Sequence, residues 1–370
     1  MVLGLDSSKD RPRIVDLFAG PGGLDVGAAW LGISAEGIEL DGNACATRSA
    51  AGLVTTPGDV RNFGPADFPD ATILTGGPPC QTFTVAGTGT GRKALNDVIA
   101  LMTRMADGDD AADSLSVLED ERTGLVLEPM RWVLEALRAD TPYEAIVLEQ
   151  VPQVLPIWAA FQEVLERYGY GVDYGILRTE EFGVPQTRRR AVLVARLDDE
   201  DVRLPKPTHQ AFRRGVPRQS MANREPWVSM ADALDRDLAF TVISNYGSGG
   251  DPRKRGQRQS DEPAATVTGK IMRNRLQLSN DDFSRFTHQE AGRLQTFPPD
   301  YPWAGSDVGQ QIGNAIPPRL SVHVLAAALN LLIDVDALNR AVREPWEVSQ
   351  NGGVSLATAD PYGERVAVLS

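Results

Sequence analysis

Apolar residues recur along this chain in short continuous runs, most of them followed by a turn and then by a stretch of helical period. Ile14, Val15, Leu17 and Phe18 form the first run and predict a buried strand over 14–18. Ala19-Gly20-Pro21-Gly22-Gly23 then turns the chain, and Leu24, Ala28 and Leu31 predict a helix over 24–31. Further strands are predicted at 34–38, shortly before Gly58-Asp59, and at 71–75, 143–148, 172–177 and 191–195. Between them, helices are predicted at 94–105, at 125–137 with Leu127, Met130, Leu134 and Leu137 on one face, and at 157–168. This alternation predicts an α/β fold with a doubly wound, mostly parallel sheet.

Near residue 197 the pattern breaks. Pro205, Pro207, Pro217 and Pro226 and the glycines at 247, 249 and 250 leave little sustained periodicity, which predicts a smaller, loop-rich second domain. A short strand at 264–268, a helix at 289–294 and a tight turn at 313–318 are predicted beyond it. An apolar helix over 320–333 should return to the first sheet, and the polar tail from 345 should be poorly packed. The division expected is 1–197, 198–311, 312–344 and 345–370.

Charge sharpens the picture. Over its 370 residues the chain carries a net charge of −13, which alone argues against a polyanion partner. The distribution reverses that inference: residues 97–121 hold eight acids against Arg104, whereas 178–224 hold eleven basic residues against six acids and 251–275 hold seven against three. A basic footprint for nucleic acid is confined to one region. No apolar run suffices to cross a membrane, and Asp6, Lys9 and Asp10 do not fit a secretory signal, so a cytoplasmic, non-membrane protein is expected. Cys45 and Cys80, with three scattered histidines, offer neither a disulfide framework nor a structural zinc site.

Candidate chemistry collects at the carboxyl ends of the predicted strands, where doubly wound sheets bind ligands. Cys80 leaves the fourth strand in the rigid turn Gly76-Gly77-Pro78-Pro79-Cys80-Gln81, and a thiol held there can act as a nucleophile. Glu39 ends the second strand about twenty residues after the glycine turn, the spacing at which an acid accepts ribose hydroxyls. Asp59 follows the third strand and Glu149 ends the fifth; Arg188 and Arg190 share one side of an extended segment. Residues 84–93, with three glycines, read as a mobile loop.

In their order these segments resemble the DNA cytosine C5 methyltransferase family over nearly all of residues 13–333: Asp16 to Gly23, Glu39, Asp59, Gly76 to Gly87, Leu125, Glu149-Gln150-Val151, Gln186-Thr187-Arg188-Arg189-Arg190, Arg258 to Thr268 and Gly313 to Pro318. The resemblance implies a methyltransferase fold binding S-adenosylmethionine, with S-adenosylhomocysteine as product. The cofactor would lie against Asp16, Phe18, Ala19, Gly20, Pro21, Gly22, Gly23, Glu39, Leu40, Asp59, Val60, Pro79, Leu125, Asn314 and Ala315. It also implies that Cys80 adds to C6 of a flipped-out cytosine, that Glu149 holds N3 and the exocyclic amine, and that Arg190, helped by Arg188, binds O2, with Pro79 and Gln81 beside them. Thr84 stands where the family usually has serine, Gln150 where it has asparagine and Ala315 where serine is common; none of these changes removes a catalytic group.

The expected partner is duplex DNA, contacted by Thr84, Gly87, Arg188, Arg190, Arg253, Lys254, Arg255, Gln257 and Arg258, with Arg253 and Arg255 suited to reading guanine through their bidentate forks. A monomer is expected, with a restriction or defence nuclease as a potential partner. Three readings compete. A transfer-RNA cytosine methyltransferase would use the same Cys80 and Glu149. A non-catalytic nucleic-acid-binding relative should have lost Cys80, Glu149 or Arg190, all of which remain. A nicotinamide dehydrogenase gives no role to Cys80 or Glu149.

Overall fold

Neighbouring residues of the inner strands point to opposite faces of one sheet, and both faces are apolar. Val15, Leu74, Ile146 and Leu148 belong to the core on one side, whereas Ile14, Ile73, Ala145 and Val147 belong to the core on the other. The computed structural model describes residues 12–79, 89–108, 124–219, 223–247, 255–279, 282–349 and 356–358. Cys80, Gln81, Thr84, Gly87, Arg253 and Lys254 lie outside the described residues.

The first lobe runs β1 (Arg13–Leu17), α1 (Gly23–Trp30), β2 (Ser34–Glu39), α2 (Gly42–Ala50), β3 (Val54–Pro57), β4 (Ile73–Gly76), α3 (Gly89–Ala106), α4 (Glu128–Arg138), β5 (Ala145–Gln150), α5 (Leu155–Arg167), β6 (Tyr170–Arg178), β7 (Gln186–Thr187) and β8 (Arg189–Leu197). Seven of these strands make one sheet in the order β3-β2-β1-β4-β5-β8-β6. The first five are parallel, and β8 is antiparallel to both β5 and β6. Strand order reverses between β1 and β4, which opens a crevice at their carboxyl ends. Helices α3, α4 and α5 cover one face with Met102, Trp132, Trp158 and Phe161 among others.

Beyond β8 come α6 (Met230–Ala233), β9 (Thr241–Gly247), β10 (Arg255–Gln259), β11 (Ala264–Ala265), β12 (Arg275–Gln277), β13 (Phe283–Ser284), α7 (His288–Leu294), α8 (Val308–Asn314), α9 (Pro318–Ala328), β14 (Leu331–Ile333), α10 (Val335–Ala341), α11 (Trp346–Ser349) and β15 (Leu356–Thr358). A four-stranded sheet, β10-β9-β12-β13, packs over a separate core that includes Met230, Phe240, Leu276, Leu294 and Ile312. Phe297 and Tyr301 instead join the core of the first lobe. Helix α9 packs against the first sheet and lies close on α1: a Cβ at Gly27 would stand 2.6 Å from Ser321 Cβ. Among the described residues no helix is long and apolar enough to cross a membrane.

Several predicted boundaries move, each for a local reason. Strand β5 extends two residues past 148 because Glu149 and Gln150 continue the ladder, opposite Val192 and Ala191. Helix α3 starts at Gly89, inside the stretch read as a loop, since burial of Val98, Leu101, Met102 and Met105 supports a long helix despite its glycine-rich start. The helix predicted to reach 333 stops at Ala328; Asn330 takes a left-handed φ of 54° and Leu331–Ile333 pairs with β15. The strand predicted over 264–268 shortens to Ala264–Ala265. The tail expected to be loose is anchored at its start: Trp346 is buried, its indole N–H donating to Ala51 O at 2.9 Å and its backbone N–H to Asp300 Oδ1 at 2.7 Å.

Candidate active site

At the carboxyl ends of β1, β2, β4 and β5 lies a cavity of about 750 Å³. Every residue expected around the cofactor lines it except Gly22. That glycine faces the other way: a Cβ there would stand 2.2 Å from Leu53 Cδ1 and 2.9 Å from the Tyr301 hydroxyl. The turn that frames the cavity is left-handed at Phe18 (φ 60°), Gly20 (56°) and Gly22 (100°), and at Phe18 a side chain is held in a conformation that costs about 1 kcal/mol or more.

The carboxylates around this cavity differ in state. Glu39 accepts the Gly20 N–H on Oε2 and the Asp41 N–H on Oε1, both at 2.7 Å. Each oxygen keeps a further acceptor site. Asp59 is paired with Arg61, whose guanidinium approaches to 2.6 Å and, by hydrogen bonding, holds the carboxyl below its ordinary range. Asp16 is buried; burial and then the charge of Asp25 push its carboxyl up to about 8, and the Thr75 hydroxyl donates to it at 2.7 Å. Beneath the turn, Asp25 and Arg48 form a bidentate ion pair at 2.7 and 2.8 Å with both side chains shut off from water.

Glu149, Arg190 and Pro79 line the far end of the same cavity. Antiparallel pairing of β5 with β8 brings the first two together, and Arg190 Nε lies 2.7 Å from Glu149 Oε1. The contact is an ion pair without hydrogen-bond alignment, since that oxygen has no aligned donor. Burial lowers the Arg190 pKa, and Glu149 partly restores it. Gln150 braces the neighbouring turns, donating to Pro78 O at 2.5 Å and accepting the Val151 N–H at 2.6 Å. The extra methylene relative to asparagine is thus accommodated across the strand ends.

Arg188 departs from expectation. Its guanidinium is buried and donates to the carbonyls of Val267, Gly313 and Ala315 at 3.0, 2.9 and 3.2 Å, and it lines neither the cavity nor the adjoining cleft. Burial, with repulsion from Arg190, brings its pKa down to about 9. Gln186 is a similar strut: its amide donates to Leu294 O at 3.0 Å and accepts the Val267 N–H at 3.0 Å. These two side chains tie the second lobe to the strand that carries Arg190.

Arg190 also opens onto a second space, a cleft of about 970 Å³ between the lobes. Of the residues expected to contact DNA in this lobe, Gln257 and Arg258 line it, and Arg255 does not. The sequence reading missed Arg178, Arg189, Phe212 and Arg214, although all four fall in the basic stretch 178–224 and the three arginines are part of its charge excess. Arg258 stacks over Phe212 at 4.7 Å, so a ring from the proline-broken segment holds a cation in the cleft. Among the described residues no group of three His, Cys, Asp or Glu is placed to hold a metal ion.

Residues 12–105, 112–225 and 218–330 match the family model for the C-5 cytosine-specific DNA methylase. The type II methyltransferase M.NgoFVII of Neisseria gonorrhoeae is 29% identical, covering 93% of this chain and 94% of that protein. M1.HphI of Haemophilus parahaemolyticus, also a type II methyltransferase, is 26% identical over 86% of each. In fold, the chain resembles the Dnmt2 methyltransferase of S. pombe, with a TM-score of 0.58 and 19% identity over 86% of this chain and 98% of that one. The glycine turn above a cofactor-sized cavity, with a glutamate and an arginine meeting at its far end, therefore belongs to a member of the C-5 cytosine-specific DNA methylase family, and the chain is a DNA cytosine-5 methyltransferase.

Proposed function

We propose that the 750 Å³ cavity binds S-adenosylmethionine and that the 970 Å³ cleft receives duplex DNA, with the target cytosine entering where the two meet, at Glu149 and Arg190. The cavity suits the cofactor chemically. Glu39 has one acceptor site free on each oxygen for two ribose hydroxyls, while Phe18, Leu40, Val60 and Leu125 offer apolar surface for the adenine. Asp59 borders them for the adenine amine, and Asn314 and Ala315 close the rim. When bound, S-adenosylmethionine supplies the electrophilic methyl group.

The protein's task is to make C5 of cytosine a nucleophile. The Cys80 thiolate, delivered from the end of β4, adds to C6 and forms a covalent bond. Glu149 holds N3 and the exocyclic amine and stabilises the protonated ring, while Arg190 binds O2 as negative charge develops there. After methylation a water molecule takes the C5 proton, the C5–H electron pair restores the C5–C6 double bond, and the C6–S bond breaks to release the Cys80 thiolate. Because C5 and C6 are stacked inside a duplex, the cytosine must leave the helix first. Arg188 acts through position, holding the strand of Arg190 against the second lobe.

The observation that carries this reading is the Glu149 to Arg190 pair at the junction of cavity and cleft. Arg178 and Arg189 from the first lobe and Arg214 and Arg258 from the second supply positive surface for phosphates on both sides of the cleft, with the second lobe as the target-recognition unit. Similarity to type II methyltransferases supports a partner nuclease that cuts the same sequence, and action as a monomer on chromosomal, plasmid or phage DNA in the cytoplasm fits such a role. Bisulfite sequencing of duplex DNA incubated with the protein and S-adenosylmethionine should show 5-methylcytosine in one short, fixed context. Absence of 5-methylcytosine, with the methyl group found instead on RNA, would refute it.

A further inference from the structure

The cofactor turn is bonded by its own neighbours at several points: the Ala19 N–H donates to Ile38 O at 3.1 Å, the Gly22 N–H to Ala19 O at 3.2 Å and the Gly20 N–H to Glu39 Oε2 at 2.7 Å. The Pro21 carbonyl is held from elsewhere. It accepts the hydroxyl of Tyr301 at 2.6 Å, from a residue 280 positions away that is fully buried. Pro21 itself lines the cofactor cavity, and the residues on either side of it, Gly20 and Gly22, are both left-handed. A turn with so many left-handed residues has little local preference for one shape, so an outside tether decides where it sits.

Tyr301 is itself immobilised. Its ring packs against Phe297 at 4.7 Å, Trp303 at 4.9 Å and Trp346 at 5.9 Å, and Trp346 is tied to Ala51 and Asp300. The hydroxyl is therefore a fixed point in the core beneath the turn.

We infer that Tyr301 is a positioning residue for cofactor binding, its hydroxyl holding the turn at Phe18 to Gly23 in the shape that meets S-adenosylmethionine. The inference rests on the reading of the cavity as the cofactor site. A structural role alone would lower stability without touching the cofactor, and Tyr170 provides the matched control. Its buried hydroxyl also donates to a carbonyl, Tyr143 O at 2.7 Å. Tyr170 begins β6, which runs in the same direction as β5, so it lies at the edge of the sheet opposite the cavity.

The test compares Tyr301→Phe and Tyr170→Phe with the native protein by thermal melting, by calorimetric titration with S-adenosylhomocysteine and by steady-state methylation. Both variants should melt at a lower temperature. Tyr301→Phe should raise the KM for S-adenosylmethionine and the Kd for S-adenosylhomocysteine at least fivefold while kcat at saturating cofactor stays within twofold; Tyr170→Phe should leave all three within twofold. If Tyr301→Phe keeps native cofactor affinity, or loses kcat with KM unchanged, Tyr301 does not position the turn. Failure of the native protein itself to bind S-adenosylhomocysteine would overturn the cofactor reading, and the inference with it.

Discussion

Arg190 on β8 places its Nε 2.7 Å from Oε1 of Glu149 on β5, and both side chains are almost wholly withdrawn from water. Burial works against the Arg190 charge and lowers its pKa, and the neighbouring Glu149 carboxylate offsets part of that cost. Both line the 750 Å³ cavity, and Arg190 also lines the cleft.

Removing either partner should therefore stop chemistry more than cofactor binding. Arg190→Ala and Glu149→Gln are each expected to lower kcat by on the order of 10²-fold or more, as when a group stabilising transition-state charge is deleted. Calorimetry should find S-adenosylhomocysteine affinity within a few-fold of native. A variant that retains kcat shows that its residue does not touch the reacting base.

Glu39 makes the complementary prediction. Glu39→Ala removes two charge-assisted acceptors, and binding of S-adenosylmethionine should weaken by roughly 1 to 3 kcal/mol. Because the Gly20 and Asp41 N–H groups lose their partner as well, part of that effect is reorganisation of the turn. Unchanged affinity in a titration would remove Glu39 from the pocket.

Much of the candidate site was legible because the residues proposed for it fall in short segments. The strand exits at Glu39 and Glu149 could be placed from apolar runs that end at a carboxylate, and the structure puts both on one cavity. What sequence spacing does not carry is the direction of a side chain once lobes pack. Arg188 and Arg190 share a side of an extended segment, yet Arg188 is consumed by three carbonyls that come from residues 267, 313 and 315, far along the chain. Gly22 belongs to the glycine turn but faces Leu53 and Tyr301. Phe212 carried no signal, since only the folded lobe brings it under Arg258.

Arg188 then has a mixed phenotype. Arg188→Met takes the guanidinium from the Val267 and Gly313 carbonyls and leaves Ala315 O with only the Gln295 amide, and removing a charged donor costs about 1.5 to 3 kcal/mol. Denaturant titration should record a loss of at least that size, together with reduced methylation. Native stability in Arg188→Met would mean the three contacts are not made in solution.

Cleft arginines divide by what they touch. Arg214→Ala, which removes an exposed cation, should weaken binding to all DNA sequences alike and lower the salt slope by about 1. Arg258 is oriented by Phe212, so Phe212→Ala should reproduce a good part of the effect of Arg258→Ala. If Arg258→Ala relaxes preference at one base pair, at a cost of roughly 1 to 3 kcal/mol, it reads sequence; a uniform loss assigns it to phosphate.

Stability should fall in acid. Burial, and then the charge of Arg319, lower the His209 pKa to about 3, and burial lowers that of His323 well below its ordinary value, with Arg319 and His209 adding to it. Both are neutral in the folded state but titrate near 6.5 when unfolded, so the unfolded chain binds more protons below that pH. Their stabilising contribution is complete above about pH 6.5 and is lost as pH falls towards 3. The melting temperature should drop from pH 7 to pH 5, and less steeply in His209→Gln; identical slopes would contradict the assignment.

The central claim is that Cys80, at the exit of β4, forms a covalent bond to the base held by Glu149 and Arg190. Duplex DNA carrying 5-fluorocytosine at the target, incubated with S-adenosylmethionine, tests it directly, because fluorine cannot leave as a proton and the adduct persists. A denaturing gel should show native protein shifted by the mass of the DNA and Cys80→Ala unshifted. An equal shift with Cys80→Ala, or none with native protein that methylates ordinary DNA, would contradict the account.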